Sequence, residues 1–317
     1  MDHRPVLLDR VVELFVPALA DGGIFVDATL GRAGHARAVL EAAPGATLIG
    51  IDRDEVALDA SRADLAANEE RVRLARGDFK ELATILERFG VAQVRGVLFD
   101  LGVSSPQLDD PSRGFSFREE GPLDMRMDTS APLTAEQVVN HYAESDLTRV
   151  IGSYGEERFA RRIARAIVAA RPIPNTKMLA EIVRDAIPAA TRRTGGHPAR
   201  RTFQAIRIEV NGELTALERV LDDVVDILEP GGRVAVLSYH SLEDRLVKNA
   251  LAAEAEGCVC PPDFPICTCG AAARIRVLTK RPIRPTADEI RSNPRSSAAK
   301  LRAAERLAAT ADEGDEA

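Results

Sequence analysis

Apolar and polar positions alternate in two rhythms through the first third of the chain. Short β-rich runs occur at Ile24–Ala28, Leu48–Asp52, Val72–Leu74 and Gly96–Asp100. Between them lie stretches with helical spacing, at Gly34–Ala43, Asp54–Ala67 and Phe79–Phe89. Strand and helix in alternation predict a parallel sheet with helices on both faces. The rhythm returns late. Gly231–Ser238 reads as a buried strand after a Pro-Gly-Gly turn, followed by a helix from about Leu242 to Ala255 and a strand at Ile275–Thr279. From about Leu108 to Asn211 there is helical periodicity and loop but no convincing strand, with the clearest helices at Glu156–Ala170, Met178–Ile187 and Thr202–Leu228. A helical insertion therefore interrupts an α/β sheet between its fourth and fifth strands. The boundaries expected are 1–107 and 213–302 for the sheet domain, 108–212 for the insertion and 303–317 for a disordered acidic tail.

Composition narrows the class. The chain has 317 residues, 45% of them apolar, so it can bury a core, and no uncharged run exceeds 10 residues, which excludes a spanning helix. Met1-Asp2-His3-Arg4-Pro5 lacks the layout of a signal peptide, and a cytoplasmic protein is expected. Charge is uneven despite a net of −7. Arg192, Arg193, Arg200, Arg201 and Arg207 occur between Asp185 and Glu209 with no acid among them, and nine basic residues lie from Arg274 to Arg302 against only Asp288 and Glu289. Two basic patches on an acidic protein fit selective contact with a polyanion, although any one such run is more often a solvated face. Aromatics make up 4%, too few for a broad base-stacking platform.

Candidate chemistry gathers where strands end. The first is followed by Asp27-Ala28-Thr29-Leu30-Gly31-Arg32-Ala33-Gly34-His35, whose glycines allow close backbone approach and whose helix start offers free N–H donors. The third glycine of a dinucleotide fingerprint is missing. Asp52 ends the second strand, placed to accept both hydroxyls of a ribose, or else to cap the helix that begins near Asp54. Gly77-Asp78-Phe79 follows the third, where an acid can accept from an adenine amine beside an apolar ring, though Asp78 alone reads better as a helix cap. The set suits S-adenosylmethionine, which has no pyrophosphate, better than NAD. Asp100-Leu101-Gly102-Val103-Ser104-Ser105-Pro106-Gln107 forms a tight acidic loop after the fourth strand. Methylation of an exocyclic amine needs such acceptors, because the nitrogen lone pair is delocalised into the ring until its protons are held. Tyr239 and His240, past the fifth strand, are placed on the same edge to cover an extruded base, with a structural strand cap an equal reading for Tyr239. Cys258, Cys260, Cys267 and Cys269 form a C-x-C pair of pairs that suggests structural zinc, against a loop of reduced thiols.

These loops, together with Arg113-Gly114-Phe115-Ser116-Phe117, Gly121–Asp128, His197–Asn211, Ser238–Arg245 and Lys280-Arg281-Pro282, resemble the RsmH (MraW) family of small-subunit ribosomal RNA methyltransferases, from roughly His3 to Arg302. The resemblance implies a Rossmann-like class I S-adenosylmethionine-dependent methyltransferase. It implies methylation of the N4 amine of a cytidine in the decoding centre (P site) of 16S rRNA within the small ribosomal subunit, and it leaves a homodimer open. Carried over by position, the cofactor contacts are Ala33, Gly34, His35, Asp52, Phe79, Asp100 and Gln107, with Asp100, Tyr239 and His240 at the reacting amine. Arg192, Arg193, Arg200 and Arg201 are the residues expected to grip RNA. Ala33 stands where the family often has glycine, and an arginine usual near Ser297 is missing. The alternatives are a DNA amino-methyltransferase, a NAD-dependent oxidoreductase and a non-catalytic assembly factor that keeps the cofactor as a structural ligand.

Overall fold

The computed structural model describes residues 4–191, 196–256, 260 and 272–308. Seven strands form one sheet: β1 (Gly23–Asp27), β2 (Ala46–Asp52), β3 (Val72–Arg76), β4 (Val94–Asp100), β5 (Leu228–Ser238), β6 (Ile275–Val277) and β7 (Lys300–Arg306). Their order is β3-β2-β1-β4-β5-β7-β6. The first five run parallel, and β7 is antiparallel to both of its neighbours. Strand order reverses between β1 and β4, so the crevice outside their carboxyl ends is where such a sheet holds ligands. This is a Rossmann-like α/β sheet with an antiparallel strand, β7, next to its edge.

Two compact units are present, Met1–Gly102 with Ala216–Ala317, and Val103–Thr215. In the first, neighbouring residues of a strand enter different layers because side chains alternate across a sheet. Phe25, Leu48, Leu98 and Leu237 pack under α1 (Leu8–Phe15), α2 (Gly34–Ala42) and α3 (Glu55–Asp64). Val26, Ile49, Val97 and Val236 pack on the opposite side against α4 (Leu82–Arg88) and Leu217, Val220 and Leu221.

The second unit is helical: α5 (Ser105–Asp109), α6 (Ala135–His141), α7 (Glu144–Gly155), α8 (Ala160–Ala169), α9 (Thr176–Ala186) and α10 (Arg200–Asn211). Val138, Ile151, Ile163, Ile167, Val183 and Ile206 form its core. α11 (Glu213–Asp223) leads back toward β5, α12 (Ser241–Glu256) follows β5, and α13 (Ala287–Ser292) precedes β7. Among the described residues no helix is long and apolar enough to cross a membrane.

Three expectations are corrected. The single helix read at Thr202–Leu228 is two, because Gly212 takes a left-handed φ of +59° and its N–H closes α10 on the Ile208 carbonyl. Leu228 belongs to β5 rather than to a helix. The tail does not begin at 303, since Ala303–Arg306 complete β7. That strand was hidden by Lys-Leu-Arg-Ala-Ala-Glu-Arg, a run of helix formers. Pairing with β5 overrides the local preference, and Asp244 of α12 takes the Arg302 guanidinium at 2.6 Å.

Candidate active site

Three strands of the first unit end in acids, and backbone donors aim each one. Asp27, 2% exposed, accepts from the Thr29 N–H at 3.2 Å. The Thr29 hydroxyl in turn accepts from the Asp100 N–H at 2.6 Å, which ties the β1 loop to the end of β4. Asp52 accepts from Gly31 N–H and Asp54 N–H, both at 2.8 Å. It therefore shapes the glycine loop and the β2–α3 turn while each oxygen keeps a further lone pair. Asp54, not Asp52, caps α3, through the Val56 N–H at 3.1 Å.

Burial dominates the electrostatics. It raises the Asp27 carboxyl to about 8, the neighbouring Asp100 and Asp52 charges adding to the effect and the Thr29 N–H opposing it. Burial also raises Asp52 above the ordinary carboxylate range, against its two backbone hydrogen bonds.

The glycine loop is tightly held. Gly31 and Ala33 both take left-handed φ, +52° and +57°. A left-handed alanine costs about 1–2 kcal/mol relative to ordinary backbone, so the loop must be over-determined by its surroundings. Pro5 supplies part of that: a Cβ on Gly34 would lie 2.4 Å from the Pro5 Cγ. His35 is 5% exposed, and its Nε2 sits 2.9 Å from the Val6 carbonyl oxygen. A carbonyl only accepts, so Nε2 carries the hydrogen. Nδ1 faces Asp100 Oδ2 at 3.5 Å.

Asp100 is the meeting point. Its Oδ1 accepts from the Tyr239 hydroxyl at 2.7 Å. Burial first, then the Asp100 charge, pushes the Tyr239 phenol well above its usual range, so it stays a neutral donor. His240 is placed differently from the expectation that it faces the edge. Its side chain is 8% exposed, Nδ1 accepts from Glu243 N–H at 3.4 Å, and Nε2 lies 3.1 Å from Glu243 Oε1 but off the axis of a hydrogen bond. The other Glu243 oxygen accepts from the N–H groups of Tyr239 and His240 at 2.7 and 3.2 Å. Asp78 caps the turn after β3 through Lys80 N–H at 3.1 Å. Phe79 is 7% exposed, its ring set edge-on to Phe99 at 5.8 Å.

Other expected residues lie elsewhere. Gln107 is in the second unit, where its side chain accepts from the Ser104 N–H at 3.0 Å in a capping box and is 7% exposed. Arg200 and Arg201 open α10 and are exposed, with Arg201 donating to the Glu156 carbonyl at 3.1 Å. Arg192 and Arg193 lie outside the described residues, as do Cys258, Cys267 and Cys269; Cys260 is half-buried. Among the described residues no three His, Cys, Asp or Glu side chains are grouped to hold a metal. Asp27, Thr29 and Glu243 were not singled out from sequence. Asp27 carried the same signal as Asp52 and Asp100, an acid at a strand end.

Residues 1–307 match the model of the MraW methylase family. The chain belongs to that family. It is 48% identical over 311 residues to "Ribosomal RNA small subunit methyltransferase H" of Halothermothrix orenii, covering 97% of this chain and 99% of the relative. A protein of the same name from Acidothermus cellulolyticus is 52% identical over 309 residues, covering 96% and 94%. A solved rRNA methylase from Streptococcus thermophilus aligns over 97% of this chain and 99% of its own at a TM-score of 0.43 and 14% identity, too distant to add to the MraW methylase assignment.

Proposed function

We propose that this chain transfers a methyl group from S-adenosylmethionine to the N4 amine of a cytidine in the decoding centre of 16S rRNA. The observation that carries the reading is the Asp100 carboxylate, fixed at the switch point by the Tyr239 hydroxyl, with its backbone N–H fixed by Thr29. The cofactor fits the acids present. Asp27, Asp52 and Asp100 share one edge, where burial first, and then the Asp100 and Asp52 charges, raise Asp27. Such an edge favours a cationic sulfonium and opposes a pyrophosphate, which disfavours NAD.

When bound, S-adenosylmethionine supplies an electrophilic methyl group. Asp52 would accept the ribose hydroxyls with its remaining lone pairs, while Ala33, Gly34 and His35 line the loop beneath. Phe79 and Asp100 complete the part of the set carried over from the family that this unit holds; Gln107 is carried over on the sequence resemblance alone. The part of this chain's residues at the amine would be to hold its N–H protons while the nitrogen takes up the methyl group, the surplus proton then passing to solvent. Asp100 accepts from the amine and thereby holds its protons so that the nitrogen rehybridises during attack. Tyr239 keeps that carboxylate aimed, and His240 is reassigned to holding the turn with Glu243. No strong base is needed, because the proton leaves after attack. The target base is extruded to reach the edge.

Arg200 and Arg201, with Arg192 and Arg193, are proposed to contact rRNA. A structural zinc on Cys258, Cys260, Cys267 and Cys269 rests on the sequence alone, and no step uses it. Purified protein, labelled S-adenosylmethionine and either small ribosomal subunits or duplex DNA test the reading. Label in 16S rRNA recovered as N4-methylcytidine supports it, whereas label in DNA alone replaces it with the amino-methyltransferase alternative.

A further inference from the structure

The second unit carries an exposed aromatic pair that the site above does not use. His197 and Phe117 stack face to face, with ring centroids 4.5 Å apart and planes 17° from parallel. Phe117 in turn meets Phe203 edge-on at 5.7 Å, and Phe203 is part of the core at 4% exposure. The stack is thus a pedestal: Phe203 anchors it, Phe117 is half-buried, and His197 is exposed.

The imidazole is held in one orientation. Its Nδ1 accepts from the Ala199 N–H at 3.2 Å, at the entry to α10. The neutral ring therefore carries its hydrogen on Nε2, which remains a donor. Burial, with the guanidinium groups of Arg118 and Arg184 nearby, holds His197 below the usual histidine range, so it stays neutral at physiological pH. Arg184 is engaged by Asp185, and Glu120 accepts from Asn175. Arg118 and Arg200, both exposed, have no carboxylate partner among the described residues.

Capping a helix does not require an aromatic ring, and an exposed ring face contributes little to folding. A neutral heteroaromatic ring on a fixed pedestal, with the Arg118 guanidinium near it and exposed Arg200 three residues on at the start of α10, matches an unstacked nucleobase whose neighbouring phosphates need cations. We infer that His197, backed by Phe117, is the stacking platform for one unpaired base of the substrate RNA, with Arg118 and Arg200 taking adjacent phosphates. The inference rests on the rRNA reading above and adds to it a particular base-binding surface.

The test uses the full-length protein and a short single-stranded RNA carrying 2-aminopurine, whose fluorescence falls on stacking. Wild type quenches the probe. His197→Ala loses the quench and weakens Kd by roughly tenfold or more, the range found for one stacked base. His197→Phe cannot accept from Ala199 but keeps a ring, so it retains the quench and separates stacking from helix capping. Arg118→Ala lowers the slope of log Kd against log salt by about 0.7, the loss of one phosphate contact on a single strand. The platform is overturned if His197→Ala quenches and binds like wild type, or if His197→Phe is as poor as His197→Ala. Failure of the rRNA reading shows separately, as wild-type protein that labels no small subunits.

Discussion

Replacing Tyr239 by Phe isolates one atom of the proposed amine site. The phenol oxygen donates to Asp100 Oδ1 at 2.7 Å, while the ring packs beside the Leu237 layer of the sheet. Phe keeps the ring and leaves the fold intact. A hydrogen bond to a charged acceptor contributes about 1.5–3 kcal/mol, which corresponds to roughly a 10- to 150-fold change in rate if the bond matters only in the transition state. The Asp100 side chain is 27% exposed, so water can replace part of the lost donor. The lower end, about tenfold, is therefore expected in kcat. Cofactor affinity should change little, because Tyr239 aims the carboxylate toward the amine. Single-turnover transfer of labelled methyl to small subunits, paired with calorimetry of S-adenosylmethionine binding, measures the two effects separately. A kcat within twofold of wild type would refute the positioning role. So would a loss confined to cofactor affinity, which would move Asp100 and Tyr239 wholly into the binding site.

Three further outcomes are expected, two of them from the same edge. Asp52→Ala should weaken S-adenosylmethionine binding by about one to two decades and Asp52→Asn by less, since the amide keeps one acceptor for Gly31 or Asp54; unchanged affinity in folded Asp52→Ala, by calorimetry, would remove the ribose assignment. Asp27, raised from 3.8 to about 8, holds a proton in the native state that the unfolded chain has released, so stability should fall as pH rises between those values, by up to roughly 5 kcal/mol, and level off above them. Urea midpoints for Asp27→Asn should fall less steeply across that window than those of wild type, and a slope equal to wild type would place the titration elsewhere. For the four cysteines, metal analysis of protein purified without chelator should find about one zinc, lost in Cys267→Ser with cofactor affinity kept; absence of metal in protein with four reactive thiols ends that reading.

The parts legible from sequence were those set by local pattern. β1, β2 and β4 announced themselves because both neighbours of each residue are buried, so the runs are continuously apolar. The acids at their ends were visible for the same reason, since each is the first charge after such a run. β7 was not legible: its pairing with β5 is a long-range contact, and its local propensity points to helix. The partners of the site acids were equally hidden. Nothing near Asp100 in the chain indicates that Tyr239, 139 residues away, donates to it. His240 and Glu243, by contrast, lie three apart at a helix start, where spacing alone permits their contact. The same limit hid the His197 pedestal, because Phe117 is far from it in sequence and low aromatic content argued against stacking. A few aromatics suffice where tertiary structure brings two of them together.

The proposed amine methylation rests on how differently the three acids of this edge are held. Asp52 has both oxygens committed to backbone N–H groups, which fixes its rotamer and leaves lone pairs for neutral hydroxyls. Asp27 is buried and raised, so near neutrality it is largely protonated and adds little charge. Asp100 is anchored through Oδ1 by a neutral phenol, and its Oδ2 lies 3.5 Å from His35 Nδ1. An acceptor fixed in direction is what a weakly nucleophilic amine would require, since its proton must be held at the moment the nitrogen attacks. On the function proposed above, Asp100 would act on the substrate, while Asp52, held by two backbone N–H groups, and buried Asp27 would keep the cofactor's end of the edge in shape. Exchanging those roles, by making Asp100 neutral as Asn, should leave an acceptor oxygen for the amine but no charge to stabilise its developing cation. Such a variant should bind RNA normally and methylate it slowly, a combination that neither a mere assembly factor nor a disrupted fold would produce.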